Sequence, residues 1–188
     1  MERSVSLKLL VVVDYQKDFV DGALGFQGAE ALDDGIAAKI RTYGSRGDYI
    51  VQTMDTHHQD YLVTREGRHL PFEHCIAGTE GWQTYGKTAN AIAEVENSPR
   101  FYRIHKATFP AHPKDMMDVL TWIGNEQINE IEFVGLVSNI CVISNICVFQ
   151  GAFPNAQIVV DPHLIASFDA KAHTSVLEVM RGLQVNLI

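Results

Sequence analysis

The chain has 188 residues, the size of one ordinary domain, and can bury roughly 70% of its unfolded surface without covalent staples. Hydrophobic residues make up 46% and charged residues 20%, which excludes a disordered chain. With 15 Lys and Arg against 23 Asp and Glu, the formal net charge is −8 and no basic run is present, so neither nucleic acid nor an anionic membrane is expected as a partner.

Leu7 to Asp14 opens the chain's pattern as a nearly continuous apolar, β-rich run. It is too short for a signal-peptide core or a membrane span, so a cytoplasmic protein is expected. The next strands are expected at Tyr49–Met54, Phe101–His105, Ile131–Leu136 and Gln157–Val160, with a last one at Val185–Ile188. Between them lie helical stripes: Leu32, Ile36, Ile40 and Tyr43; then Met116, Leu120 and Ile123; then Val176, Met180 and Leu183. Continuous apolar strands alternating with helices predict a three-layer α/β fold, with a six-stranded, mostly parallel, Rossmann-like sheet in one domain over 1–188. Residues 56–86 lack periodicity but carry histidines, glycines and Pro71. A stretch of this length without a regular pattern reads as a functional loop.

Three cysteines, Cys75, Cys141 and Cys147, make no disulfide framework, and reduced thiols suit the cytoplasm. Cys75 and Cys147 read as small core residues. Cys141 differs, because Asp14, Asp55, Lys106 and Cys141 all fall at or just after strand ends. In an open parallel sheet such positions converge on one rim. Cys141 follows Ser138 and Asn139, both good N-cap formers, and opens the stripe Ile140, Ile143, Cys147. A thiol in a first helical turn loses its proton more easily, so Cys141 is the expected nucleophile. Asp14 would exchange its proton and Lys106 would hold the developing charge. Asp55 with His57 and His74 offers mixed oxygen and nitrogen donors suited to Zn²⁺, Fe²⁺ or Mn²⁺, with Glu66 a possible further ligand. His58 and His69 read as surface residues, and His105 points away from Lys106 on an alternating strand. No Gly-x-Gly-x-x-Gly follows the first strand, which disfavours a dinucleotide binder.

These segments resemble the cysteine hydrolase (isochorismatase-like) superfamily, and most closely its nicotinamidase/pyrazinamidase branch. The matching stretches are VVVDYQKDF at 11–19, TMDTH at 53–57, HCIAGTEG at 74–81, RIHK at 103–106 and VGLVSNICV at 134–142. The resemblance implies a triad of Asp14, Lys106 and Cys141. It also implies an oxyanion hole from the N–H groups of Val137 and Cys141, with a cis peptide joining Val137 and Ser138. A divalent metal, Zn first, would sit on Asp55, His57 and His74. The implied reaction is hydrolysis of a small-molecule amide through a thioester, nicotinamide to nicotinate leading. A carbamoyl, ureido or isochorismatase-type substrate is the alternative, and a non-catalytic metal-stabilised module a more distant one. A homo-oligomer is expected on the same ground. Where similar enzymes carry an aromatic residue three before the last metal histidine, this chain has Pro71, with Phe72 beside it. Where they carry Asp two before the cysteine, it has Asn139. Phe19, Phe72 and Trp82 are the candidate walls of the substrate pocket.

Overall fold

The computed structural model describes residues 7–188. Six strands form one sheet: β1 (Leu7–Val13), β2 (Tyr49–Asp55), β3 (Phe101–Lys106), β4 (Ile128–Leu136), β5 (Gln157–Ala166) and β6 (Asn186–Leu187). The spatial order is β3-β2-β1-β4-β5-β6, and all five pairings are parallel. Both outer edges are reached from β1, first through β2 and β3, then through β4 to β6. The order therefore reverses between β1 and β4, the crevice where open α/β sheets place their ligands.

Seven helices accompany the strands: α1 (Lys17–Val20), α2 (Asp33–Arg46), α3 (Arg65–His69), α4 (Gly86–Val95), α5 (Pro113–Ile123), α6 (Ile143–Ala152) and α7 (Ala170–Gly182). Alternation along β1 divides the core in two. Leu9, Val11 and Val13 pack with Met116 and Val119 of α5, Ile146 and Phe149 of α6, and Val176 and Met180 of α7. Leu10 and Val12 pack with Ile36 and Ile40 of α2 and Ala91 and Ile92 of α4. The apolar side chains of β1 thus meet helices on both faces, which is why that strand reads as an unbroken apolar run.

Two expectations need amendment. The structure adds α4, which carries no side-chain cap of its own. Its first turn is capped from a distance by the buried Asp33 carboxylate, which accepts Lys87 N–H at 2.7 Å and Thr88 N–H at 2.8 Å. The loop over 56–86 is also partly ordered into turns: a 3₁₀ turn at Tyr61–Val63 and then α3, capped by Thr64, whose hydroxyl accepts Gly67 N–H.

β1 and β4 approach so closely that a side chain at Gly135 has no room. A Cβ there would lie 2.0 Å from the Val13 carbonyl oxygen, and its φ of +114° is itself a glycine conformation. That contact brings the carboxyl ends of β1 and β4 together.

Candidate active site

Asp14 leaves β1 with φ +46°, a left-handed turn that an aspartate tolerates better than most residues. The turn aims its carboxylate along the sheet rim. Thr53 Oγ donates to Asp14 Oδ1 at 2.6 Å, and Lys106 Nζ from the end of β3 lies 2.6 Å from Asp14 Oδ2. The same ammonium lies 3.5 Å from Asp55 Oδ1 and 3.8 Å from Cys141 Sγ. Asp14, Lys106 and Cys141 are all buried. The rim position of four strand ends thus gathers one thiol, one ammonium and two carboxylates.

Burial sets the charges. It raises Asp14 above the usual carboxylate range; Lys106 counters this and Asp55 adds to it. Burial alone would push the Lys106 ammonium down, but Asp14, Cys141 and Asp55 outweigh it, so Lys106 stays charged. Burial also pushes the Cys141 thiol up, with the carboxylates adding to it and Lys106 opposing. This corrects the expectation of a thiol acidified by its helix. Cys141 sits in a π-helical turn, Ser138–Val142, ahead of α6. Neither Ser138 nor Asn139 caps that turn through its side chain. Burial and the neighbouring Asp14 carboxylate thus favour the protonated thiol.

The turn itself is held firmly. Ile140 and Val142 N–H both donate to the Val137 carbonyl, at 3.0 and 3.1 Å. The fully buried Asn145 donates to the Cys141 carbonyl at 2.8 Å and accepts Ala111 N–H at 2.9 Å. The cis peptide lies at Leu136–Val137, one residue earlier than the resemblance implied. It therefore precedes Val137 and leads directly into that residue's N–H.

Asp55, His57, Glu66 and His74 form the second cluster. Gln16 fixes the backbone of Asp55 from both sides: its Oε1 accepts Asp55 N–H at 2.8 Å and its Nε2 donates to the Asp55 carbonyl at 2.9 Å. The loop pairs with itself at His57 and Ile76, His57 N–H donating to the Cys75 carbonyl, which returns His74 to the rim. Asp18 strengthens this return by accepting Cys75 N–H at 2.7 Å. α3 contributes Glu66. The Nε2 atoms of His57 and His74 lie 3.0 and 3.3 Å from Asp55 Oδ2, and 3.6 and 3.8 Å from Glu66 Oε1. Donors about 2.0–2.2 Å from a shared ion sit roughly 3–3.6 Å from one another, so these four residues fit a divalent metal. The His74 Nδ1 lies 2.8 Å from the Phe72 carbonyl, which fixes the ring with Nε2 toward the cluster. Burial lowers His74, but its bonds to Asp55 and Phe72 and the Glu66 charge raise it overall. Burial would raise Asp55, yet Lys106 and the two imidazoles hold it far below the usual range.

Both clusters open into one cavity of about 510 Å³. Its walls include Phe19, Leu24, Leu70, Phe72, Phe109, Ile140 and Phe168, with Asp55, Glu66, His74, Val137 and Cys141 at its floor. Among the described residues neither Lys nor Arg lines it. Phe19 and Phe72 are thus where the sequence suggested. Trp82 is not: it donates to Thr56 Oγ at 3.0 Å and stacks on His105, at a centroid distance of 5.5 Å. His105 turns away from Lys106 along β3, and Trp82 follows it to that side. Cys75 is buried as expected, but Cys147 is exposed on α6, because the helical stripe facing the core runs through Ile146 and Phe149 instead. His58 and His69 are exposed. The sequence did not single out Leu24, Phe109 or Phe168 as walls, since isolated apolar residues in loops carry no periodic signal. Gln16 and Asn145 were also missed, although Gln16 lies inside the first motif.

Comparisons with known proteins bear on the family and the fold. The family model described as "Isochorismatase domain" matches residues 8–188. An uncharacterised isochorismatase family protein PncA of Bacillus subtilis is 29% identical over 170 residues, covering 88% of this chain and 90% of that one. A crystal structure of nicotinamidase/pyrazinamidase PncA from Bacillus subtilis superposes with a TM-score of 0.85 at 27% identity, over 96% of this chain and 98% of that one. The nicotinamidase/pyrazinamidase of Mycobacterium tuberculosis is 24% identical, covering 97% of this chain and 98% of that protein. Since the match runs from β1 to the end of the sheet and takes in every strand end that builds the rim, the chain belongs to the isochorismatase family.

Proposed function

We propose that the chain is a cysteine amidohydrolase acting on a small, neutral, aromatic amide, with nicotinamide to nicotinate and ammonia as the leading reaction. The observation that carries this reading is the buried Asp14–Lys106 ion pair, 2.6 Å long, set against the Cys141 thiol at the floor of an apolar cavity. Most free cysteines are inert packing residues. Burying a carboxylate and an ammonium beside one is costly unless the charges are used.

The chemistry follows from the protonation states. Asp14 takes the Cys141 proton as sulfur attacks the amide carbonyl, so the S–H bond breaks as the S–C bond forms. Lys106 remains charged throughout and steadies the sulfur as it gains charge. The carbonyl π pair moves to oxygen, where the N–H groups of Val137 and Cys141 receive it, a contribution of about 2.7–4 kcal/mol per donor. The tetrahedral species collapses, and Asp14 returns the proton to the departing nitrogen as ammonia. Asp14 then deprotonates a water that cleaves the thioester, and sulfur regains its proton. Asp55, His57, Glu66 and His74 would hold a divalent ion, Zn²⁺ before Fe²⁺ or Mn²⁺, which would supply Lewis-acid chemistry at the cavity floor. Phe19 and Phe72 offer faces against which that ring packs.

The wall chemistry separates this reading from its alternative. A carbamoyl or ureido compound bearing a carboxylate, or a dicarboxylate such as isochorismate, calls for a cationic side chain in the pocket beyond the ion that the four-donor cluster would hold. Here the acidic side chains at the floor are Asp55 and Glu66, and Lys106 is committed to Asp14. Acid-quenched turnover should yield a Cys141 peptide carrying the acyl group in thioester linkage, detectable by mass spectrometry. Steady turnover of nicotinamide with no acylation at Cys141 in quenched or single-turnover samples would refute the covalent route.

A further inference from the structure

The π-helical turn that presents Cys141 is anchored at both ends. Asn145 holds its Cys141 end through the carbonyl. At the other end Ser138 is fully buried, and its Oγ lies 3.0 Å from Nδ1 of His173. His173 is in the first turns of α7, which is capped by Asp169 through bonds to Lys171 and Ala172 N–H. Phe168, just before that cap, is a wall of the cavity. A buried hydroxyl needs a partner, and among the described residues no N-cap side chain holds this turn. The sequence match that identifies the nucleophile ends well before α7, so no motif points to this contact.

We propose that His173 is a positioning residue: through Ser138 it fixes the turn that carries the Val137 and Cys141 N–H groups, and so sets their aim at the reacting oxygen. Among the described residues His173 is not one of those that line the cavity, and its ring is bonded to Ser138 Oγ. Burial keeps the imidazole below its ordinary value, hence neutral near pH 7. A serine hydroxyl can donate or accept, so either neutral tautomer makes the contact. Asn145 sets the carbonyl end of the turn, and His173 stops the other end from rotating about it. A small loss of aim at an oxyanion costs far more in rate than in ground-state binding.

The inference rests on the amidohydrolase reading, so its test includes an arm that does not need the amide. The variants are His173→Phe, which keeps a ring without a polar atom, His173→Asn, which keeps a polar atom near the Nδ1 position, Ser138→Ala, and the Ser138→Ala/His173→Phe double variant. Three readouts are taken on the full chain: nicotinamide kinetics, the Kd for benzaldehyde, and the rate of Cys141 alkylation by iodoacetamide. Benzaldehyde adds reversibly to the thiol: the S–H proton passes to Asp14, an S–C bond forms and the carbonyl π pair moves to oxygen in the same hole. His173→Phe and Ser138→Ala should each lower kcat about 10- to 100-fold, raise the benzaldehyde Kd by a similar factor and leave KM and the alkylation rate within about threefold. His173→Asn should recover most of the loss, and the double variant should be no worse than either single one. The proposal is overturned by wild-type values of kcat and benzaldehyde Kd in His173→Phe. It is equally overturned by additive losses in the double variant, by equal impairment of the Asn and Phe variants, or by a wild-type protein with no affinity for benzaldehyde. A wild-type protein that binds benzaldehyde but releases no ammonia from nicotinamide would discard the substrate and leave the role of His173 to be decided by the aldehyde arm.

Discussion

Lys106 and Asp14 depend on each other for their burial. At 1% and 0% side-chain exposure, neither charge has water to fall back on. Lys106→Met should therefore leave Asp14 uncompensated, and equilibrium urea unfolding should show a loss of about 3–5 kcal/mol together with the loss of turnover. Stability within 1 kcal/mol of wild type would mean that the pair is not the buried contact described. Asp14→Asn should lower kcat by about 10²–10⁴, the usual value of a positioned acid–base group. The sign of the pH dependence follows from the carboxyl being raised. Asp14 must be ionised to take the thiol proton, so kcat/KM should fall as pH drops through its pKa, with an inflection above the ordinary carboxylate value of about 3.9. An acid limb at or below that value would contradict the burial argument. At this scale the sequence was informative because strand ends in a parallel sheet share a rim, so that Asp14, Asp55, Lys106 and Cys141 could be grouped without a structure. It was misleading where a neighbour decides orientation. Trp82 was drawn away from the cavity by His105 and Thr56, and the Cys141 thiol was set by burial rather than by its helix.

Among the elements, α3 shows how much a short helix can matter. It is five residues long, too short to stand alone in water, yet it carries Glu66 to Asp55, His57 and His74. Its cap is Thr64, whose hydroxyl accepts Gly67 N–H at 3.0 Å. Thr64→Ala should cost about 1 kcal/mol locally. A Zn²⁺ titration should then show weaker binding, while Cys141 alkylation stays unchanged. Unaltered Zn²⁺ affinity would mean that α3 holds Glu66 without its cap. The helix was hidden in the sequence because five residues make no period. α4 was hidden for another reason: its cap, Asp33, lies more than fifty residues earlier, and its buried face is built of Thr88, Ala91 and Ile92, which give little hydrophobic contrast. By contrast α2, α5 and α7 each carry a stripe of large apolar residues, and all three were legible.

Across the whole molecule, the reversal of strand order between β1 and β4 decides where chemistry can occur. Asp14 follows β1 and the Cys141 turn follows β4, so the thiol and the carboxylate meet at the crevice, and β2 and β3 add Asp55 and the Lys106 ammonium beside them. The continuous apolar strands made this sheet legible in advance. Several of the cavity walls were not, because Leu24, Phe109 and Phe168 come from separate connections that only the tertiary fold brings together. A metal that binds the folded cluster and not the unfolded chain stabilises the fold by mass action. Stoichiometric Zn²⁺ should raise the Tm of chelator-treated protein by several degrees, and His74→Ala should abolish that rise; an equal rise in the variant would place the ion elsewhere.

Ammonia release from nicotinamide, measured for the wild-type protein, for Cys141→Ala and for a chelator-treated sample, tests the central claim most directly. The account predicts steady release by the wild type, none by Cys141→Ala despite an unchanged fold, and loss on chelation that added metal reverses. Full release by Cys141→Ala would contradict the cysteine mechanism. No release by a wild-type protein whose Cys141 still reacts with a thiol reagent would contradict the choice of nicotinamide.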